Sequence, residues 1–219
     1  MVFVPRILSS LKDHISCPKL GALPDAAKAQ IAQHSRVLTV DINENKIPLE
    51  KSMLLLGKEL GVDKQTIRTA IKRGMAEMQS TRKKLSGCPD KKGKRFLILS
   101  HPYNLYDDFL SGPILRKLER IGVAFELAKL EQKNIPSDPI KWDTCSKMYD
   151  VLQHLTAEEC AGVLQISSFN CGCDSISMQI FQRMLRDKGI PYMTLVLDEH
   201  SSQSGMDTRL EAFVDSTRW

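Results

Sequence analysis

Between residues 96 and 216 the chain alternates short apolar runs with stretches of helical periodicity, and this alternation constrains the fold more than any other feature. The apolar runs are residues 96–99, 123–127, 162–166 and 192–197. Each is short and bounded by turn residues, as a strand buried on both faces should be. The stretches between and after them, residues 113–121, 142–155, 175–188 and 207–216, repeat apolar residues every three or four positions; in the third, Ile176, Ile180, Met184 and Leu185 share one face. Strands separated by helices of this length imply βαβ units with right-handed crossovers. The expected fold is therefore α/β: a four-stranded parallel sheet of Rossmann-like or flavodoxin-like kind with flanking helices.

The first ninety residues are organised differently. Residues 2–4 read as a strand stopped by Pro5, followed by a loop through Cys17, Gly21 and Pro24 and a helix capped near Asp25. Residues 37–40 read as another strand, and Asn43, Glu44, Asn45 and Pro48 turn the chain into a helical arm. One arm helix covers residues 49–60 and closes at Gly61; Asp63 caps a second, 64–85, with Ile67, Ile71, Met75 and Met78 as its apolar stripe. The glycine- and proline-containing link with basic runs on both sides, Arg82-Lys83-Lys84 and Lys91-Lys92-Gly93-Lys94-Arg95, marks a boundary. Two domains are expected: 1–90, a partial α/β lobe with its helical arm, and 91–219, the Rossmann-like domain.

Composition narrows the function classes. Among 219 residues, 42% are hydrophobic and 26% charged, and no apolar run approaches the ~18 residues of a membrane span. The net charge of +5 is modest, and no aromatic residues interleave with the basic runs, which argues against nucleic acid as a partner. The start, Met1-Val2-Phe3-Val4-Pro5-Arg6, has no signal-peptide pattern, so a cytoplasmic protein with reduced thiols is expected, and its six cysteines point to metal or redox chemistry. Several templates are missing: a Gly-x-Gly-x-x-Gly after a strand, a Walker loop, a His-Glu-x-x-His and a Cys-x-x-Cys pair.

In an open parallel sheet ligands bind beyond the carboxyl ends of the strands. Three loops should meet there: Ser100-His101-Pro102-Tyr103-Asn104, Ser167-Ser168-Phe169-Asn170-Cys171-Gly172-Cys173-Asp174-Ser175, and Asp198-Glu199-His200-Ser201. His101, Asp198, Glu199 and His200 are the candidates for holding a cofactor. Cys171 and Cys173 stand before a helix start, where the helix dipole favours a thiolate as nucleophile or metal ligand. The plainer reading is a pair of buried structural thiols, with Asp174 or Ser175 as the helix cap.

Cys17-Pro18-Lys19 followed by Gly21-Ala22-Leu23-Pro24-Asp25, the three loops above, and Thr208-Arg209-Leu210-Glu211-Ala212-Phe213-Val214-Asp215 resemble the acyl-CoA dehydratase activase-related proteins, relatives of the 2-hydroxyacyl-CoA dehydratase subunits. The resemblance implies an iron–sulfur cluster, a [4Fe-4S] cubane or a double cubane, reduced by an ATP-hydrolysing activase. It implies that Cys17 and Cys171 are metal ligands; Cys173, where relatives commonly carry proline, is the additional candidate. The function implied is electron transfer in a dehydratase or low-potential reductase system. The alternative is a cluster-free Rossmann-like binding or assembly module. Family members usually begin with a further α/β lobe carrying another cysteine. The expectation is therefore an oligomer, or a partner subunit supplying that lobe, with little cluster in the chain alone; a fragment or an incomplete cluster are the other readings.

Overall fold

A computed structural model of the chain describes residues 1–84, 93–130, 139–169, 171–199 and 202–217. The chain divides into two compact units, Met1–Lys84 with Ser137–Ser146, and Leu85–Pro136 with Lys147–Trp219. The boundary expected between residues 90 and 91 lies outside the described residues.

In the first unit, strands β1 (Val2–Phe3) and β2 (Arg6–Ser9) form one extended run interrupted at Pro5. Helix α1 (Pro18–Ile31) then returns the chain to β3 (Val37–Leu38) and β4 (Asp41–Asn43), parallel to β1 and β2 respectively. Proline lacks the N–H that a ladder needs, yet it does not bend the chain away. Val4 N donates to Leu38 O at 2.8 Å and Arg6 N to Val40 O at 2.9 Å, carrying the pairing past the break. The loop expected after Pro5 thus begins with a strand.

The helix expected from Asp25 starts at Pro18, in the first helical turn where proline is best tolerated, and Pro24 is accommodated inside it. Arg6 reaches that turn: its Nη1 donates to Gly21 O at 2.7 Å, and its guanidinium makes a two-pronged contact of 2.8 Å per bond with Asp25. Asp25 is therefore an arginine partner rather than a cap, and this ion pair holds its carboxyl below the usual aspartate range.

Helices α2 (Leu49–Glu59) and α3 (Lys64–Lys84) form an antiparallel hairpin. Pro48 starts α2, with Glu44 Oε1 accepting from Leu49 N at 2.9 Å, and Gly61 closes the turn with φ +72°. Asp63 Oδ1 accepts from the N–H groups of Gln65 and Thr66 at 2.9 and 3.0 Å, the N-cap expected from its position. Gly57 lets the helices approach: a Cβ there would lie 2.5 Å from Ile67 Cγ1. Ile67 is buried, but Met75 and Met78 are 42% and 40% exposed, so the far end of the expected stripe is not core.

The second unit holds strands β5 (Arg95–Ser100), β6 (Phe125–Leu127), β7 (Cys160–Ser168) and β8 (Tyr192–Leu197). All pair in parallel in the order β6-β5-β7-β8. This is the flavodoxin-like order, with the reversal of strand order, the topological switch point, falling between β5 and β7. Its helices are the single turn α4 (Pro102–Leu105), then α5 (Gly112–Arg120), α6 (Asp143–His154), which enters from the segment Ser137–Ser146, α7 (Gly172–Asp187) and α8 (Gln203–Ser216). On one sheet face Phe96, Ile98, Leu164, Ile166 and Leu195 pack against Ile114 and Leu118 of α5 and Leu210 and Val214 of α8. Among the described residues no helix is long and apolar enough to cross a membrane.

Candidate functional site

The carboxyl ends of β5 and β7 lie side by side, Ser100 paired with Ile166, where ligands bind in sheets of this order. Ser100 Oγ donates to Ile166 O at 2.5 Å and locks the two ends together. Beyond β5, His101 is the N-cap of α4, with Pro102 in its first turn; this turn was not foreseen. Beyond β7, the chain turns so that Cys171 N donates to Ser168 O at 3.1 Å and Cys171 becomes the N-cap of α7. Ser168 Oγ donates to Asn104 Oδ1 at 2.7 Å, tying β7 to α4.

These turns bring His101 and Cys171 together, as the topology implied. His101 Nε2 lies 3.0 Å from Asp174 Oδ1 and 3.9 Å from Cys171 Sγ. Asp174 is not a cap. Its carboxylate is fully buried, with Oδ2 accepting from Ser167 Oγ at 2.5 Å, so it orients the imidazole from beneath. Tyr103 stacks on the same imidazole, ring centroids 5.0 Å apart at 15°, with its hydroxyl 3.9 Å from Cys171 Sγ. One imidazole nitrogen faces both carboxylate and sulfur. In a nucleophile–base–carboxylate relay the two contacts fall on opposite nitrogens, so this geometry does not form such a relay. It presents instead a sulfur ligand beside an oriented ring.

Burial pushes the Cys171 thiol up, but the His101 ring and the backbone amide of Asp174 favour the thiolate more strongly, and the balance lies below the ordinary thiol value. Cys160, at the other end of β7, contrasts with it: burial dominates there and raises its pKa, with Sγ 3.2 Å from Gly162 O. Cys173 is buried in the first turn of α7. Asp198 and Glu199 are exposed just past β8, on the carboxyl edge of the sheet, and His200 lies outside the described residues.

In the first unit Cys17 occupies a related local position, as the N-cap of α1. It lines a cavity of about 360 Å³ with Ser16, Pro18, Asn43, Asn45 and Lys46. The loop before it is fixed by Asp143, whose Oδ2 accepts from Ser10 N at 2.9 Å, Ser10 Oγ at 2.7 Å and Ser16 Oγ at 2.5 Å. Each unit thus presents one cysteine at the head of a helix of at least fourteen residues.

Asp174, Tyr103, Asn104 and Ser167 are the site residues that sequence reasoning did not select. Their signal was present, since all four lie in the two strand-end loops, but an acid in the first turn of a helix reads by default as a cap.

No curated protein sequence matches the chain. The family model of the CoA enzyme activase uncharacterised domain (DUF2229) matches residues 1–129, which take in the first unit up to Lys84 and β5 through β6 with His101 and Tyr103. That match covers more than half of the chain, and the chain belongs to this acyl-CoA dehydratase activase-related family.

Proposed function

We propose that the protein is an iron–sulfur electron-transfer component, related to 2-hydroxyacyl-CoA dehydratase or ATP-dependent low-potential reductase subunits, that takes its electron from an ATP-hydrolysing activase. The observation that carries this reading is the Cys171 thiol, biased toward thiolate at the switch point of the sheet and capping α7. A thiolate is the ligand form that iron–sulfur clusters require, and such a cluster supplies one-electron chemistry whose potential is set by ligands, hydrogen bonds and burial.

The surrounding residues suit that role. His101, oriented by Asp174, presents Nε2 to the sulfur, which is the kind of neighbour that tunes a ligand thiolate. Tyr103 covers the imidazole and limits water at the sulfur from one side. The family relationship supports an activase as the electron donor. The resemblance assigns Cys17 a ligand role too, and it stands at the head of α1.

Anaerobic iron and sulfide analysis of the full chain after reconstitution tests the reading, with Cys171→Ser and Cys17→Ser assessed separately. Iron and acid-labile sulfide in the wild type, lost in Cys171→Ser, support it. A colourless, iron-free wild type instead supports the cluster-free binding module, a reading favoured by one feature: both oxygens of Asp174 are already engaged within the fold.

A further inference from the structure

The α2–α3 hairpin carries an open trough unrelated to the cysteine sites. It has a volume of about 540 Å³ and is lined almost wholly by apolar side chains, among them Leu49, Met53 and Leu56 of α2 and Ala70, Ile71 and Met75 of α3. Leu60, Val62 and Met75 are each 38–43% exposed along it. A contiguous apolar surface of this kind marks an interaction site more often than an accident of composition. The trough runs the length of α2, whose eleven residues span roughly 16 Å, so a helix of about three turns fits it.

Charge identifies the occupant. Lys64, Arg68 and Lys72 follow one another at four-residue spacing on α3 and form a ridge flanking the apolar stripe. None of the three makes an ion pair among the described residues. Between Lys64 and Lys84 seven basic residues stand against one acid, Glu77. A second copy of the chain would bring this basic helix against itself, which like-charge repulsion opposes. A concave trough also suits a helix better than the flat surface of a bilayer. We propose that the α2–α3 trough docks an acidic amphipathic helix of a partner protein, with the partner's apolar stripe in the trough and its Asp or Glu side chains along the Lys64–Arg68–Lys72 ridge.

The experiment uses the full chain and two fluorescent helical peptides with the same leucine stripe, one flanked by glutamates and one by lysines, followed by anisotropy. Wild type is expected to bind the acidic peptide about tenfold more tightly than the basic one. The exposed double variant Arg68→Glu/Lys72→Glu is expected to invert that preference, a gain for the basic peptide that misfolding cannot produce. Equal binding of the two peptides, binding of neither, self-association that blocks the acidic peptide, or binding to phosphatidylserine vesicles alone would each overturn the proposal.

Discussion

His101 Nε2 and Asp174 Oδ1, 73 positions apart in sequence, lie 3.0 Å apart inside the second unit, and this contact organises the thiol site. The carboxylate is fully buried and holds both the imidazole and Ser167. Replacing Asp174 with Ala leaves two buried polar groups without their acceptor. The expected cost is about 3 kcal/mol, read from denaturant unfolding. Asp174→Asn keeps the shape but removes a negative charge that raises the Cys171 pKa, so the thiol should become more acidic in that variant.

The thiol itself has a defined pH signature. Burial opposes ionisation, but the His101 ring and the Asp174 amide outweigh it, so the folded pKa lies below the unfolded one. Its contribution to stability is then present above the unfolded thiol pKa, near ~8.5, and is lost as pH falls through the folded value. Alkylation of the Cys171 peptide by iodoacetamide, followed by mass spectrometry across pH, should reach half its maximal rate below that unfolded value. His101→Ala should move the midpoint upward. An unchanged midpoint in that variant would mean that the imidazole does not set the acidity of Cys171.

Gly162 on β7 is a third point of test. A Cβ there would sit 3.0 Å from the Phe96 ring, 3.2 Å from Phe213 and 3.3 Å from Pro191 O. Buried Phe96 and partly buried Phe213 pack edge to face at 5.6 Å, so an added methyl must shift one or both rings by a few tenths of an ångström. Gly162→Ala should cost about 1–3 kcal/mol by overpacking, read as a lower midpoint in thermal or urea unfolding.

Lys188 stabilises the end of α6. Its Nζ donates to the carbonyls of Leu152, Gln153 and Leu155 at 3.0, 2.6 and 2.9 Å. They lie at the helix end, where partners within the helix run out and Leu152 O otherwise accepts a long 3.4 Å bond from Leu155 N, and a cation also suits the negative end of the helix dipole. Lys188→Met should lower stability by about 1–2 kcal/mol, with hydrogen exchange accelerating first in residues 150–155.

The alternation of apolar runs and helices in the second unit was legible because short apolar runs bounded by turn residues recur between helical stretches; the expected strand 192–197 coincides with β8, although within it only Leu195 is buried. The reading failed where proline has two meanings. Pro5 interrupts a ladder without ending it, and Pro24 sits inside α1 beside the Arg6 contacts, so β2 was missed and α1 was started too late. A one-turn helix such as α4 is too short to show a period. The meeting of the His101 and Cys171 loops followed from topology alone, whereas the bond between His101 and Asp174 depends on which way a buried side chain turns, and no local pattern encodes that.

The most direct measurement of the central claim is iron and acid-labile sulfide per chain after anaerobic reconstitution of the wild type and of Cys171→Ser, with the sulfur-to-iron absorption band recorded for both. The expected result is bound iron and sulfide with that band in the wild type, well below one full cluster per chain because Cys17 and Cys171 are the assigned ligands and a cubane has four iron corners, and loss of all three in the variant, while circular dichroism shows the fold unchanged. Iron retained at the wild-type level in Cys171→Ser would contradict the assignment of Cys171 as a ligand, and a wild type that binds no iron would contradict the electron-transfer function.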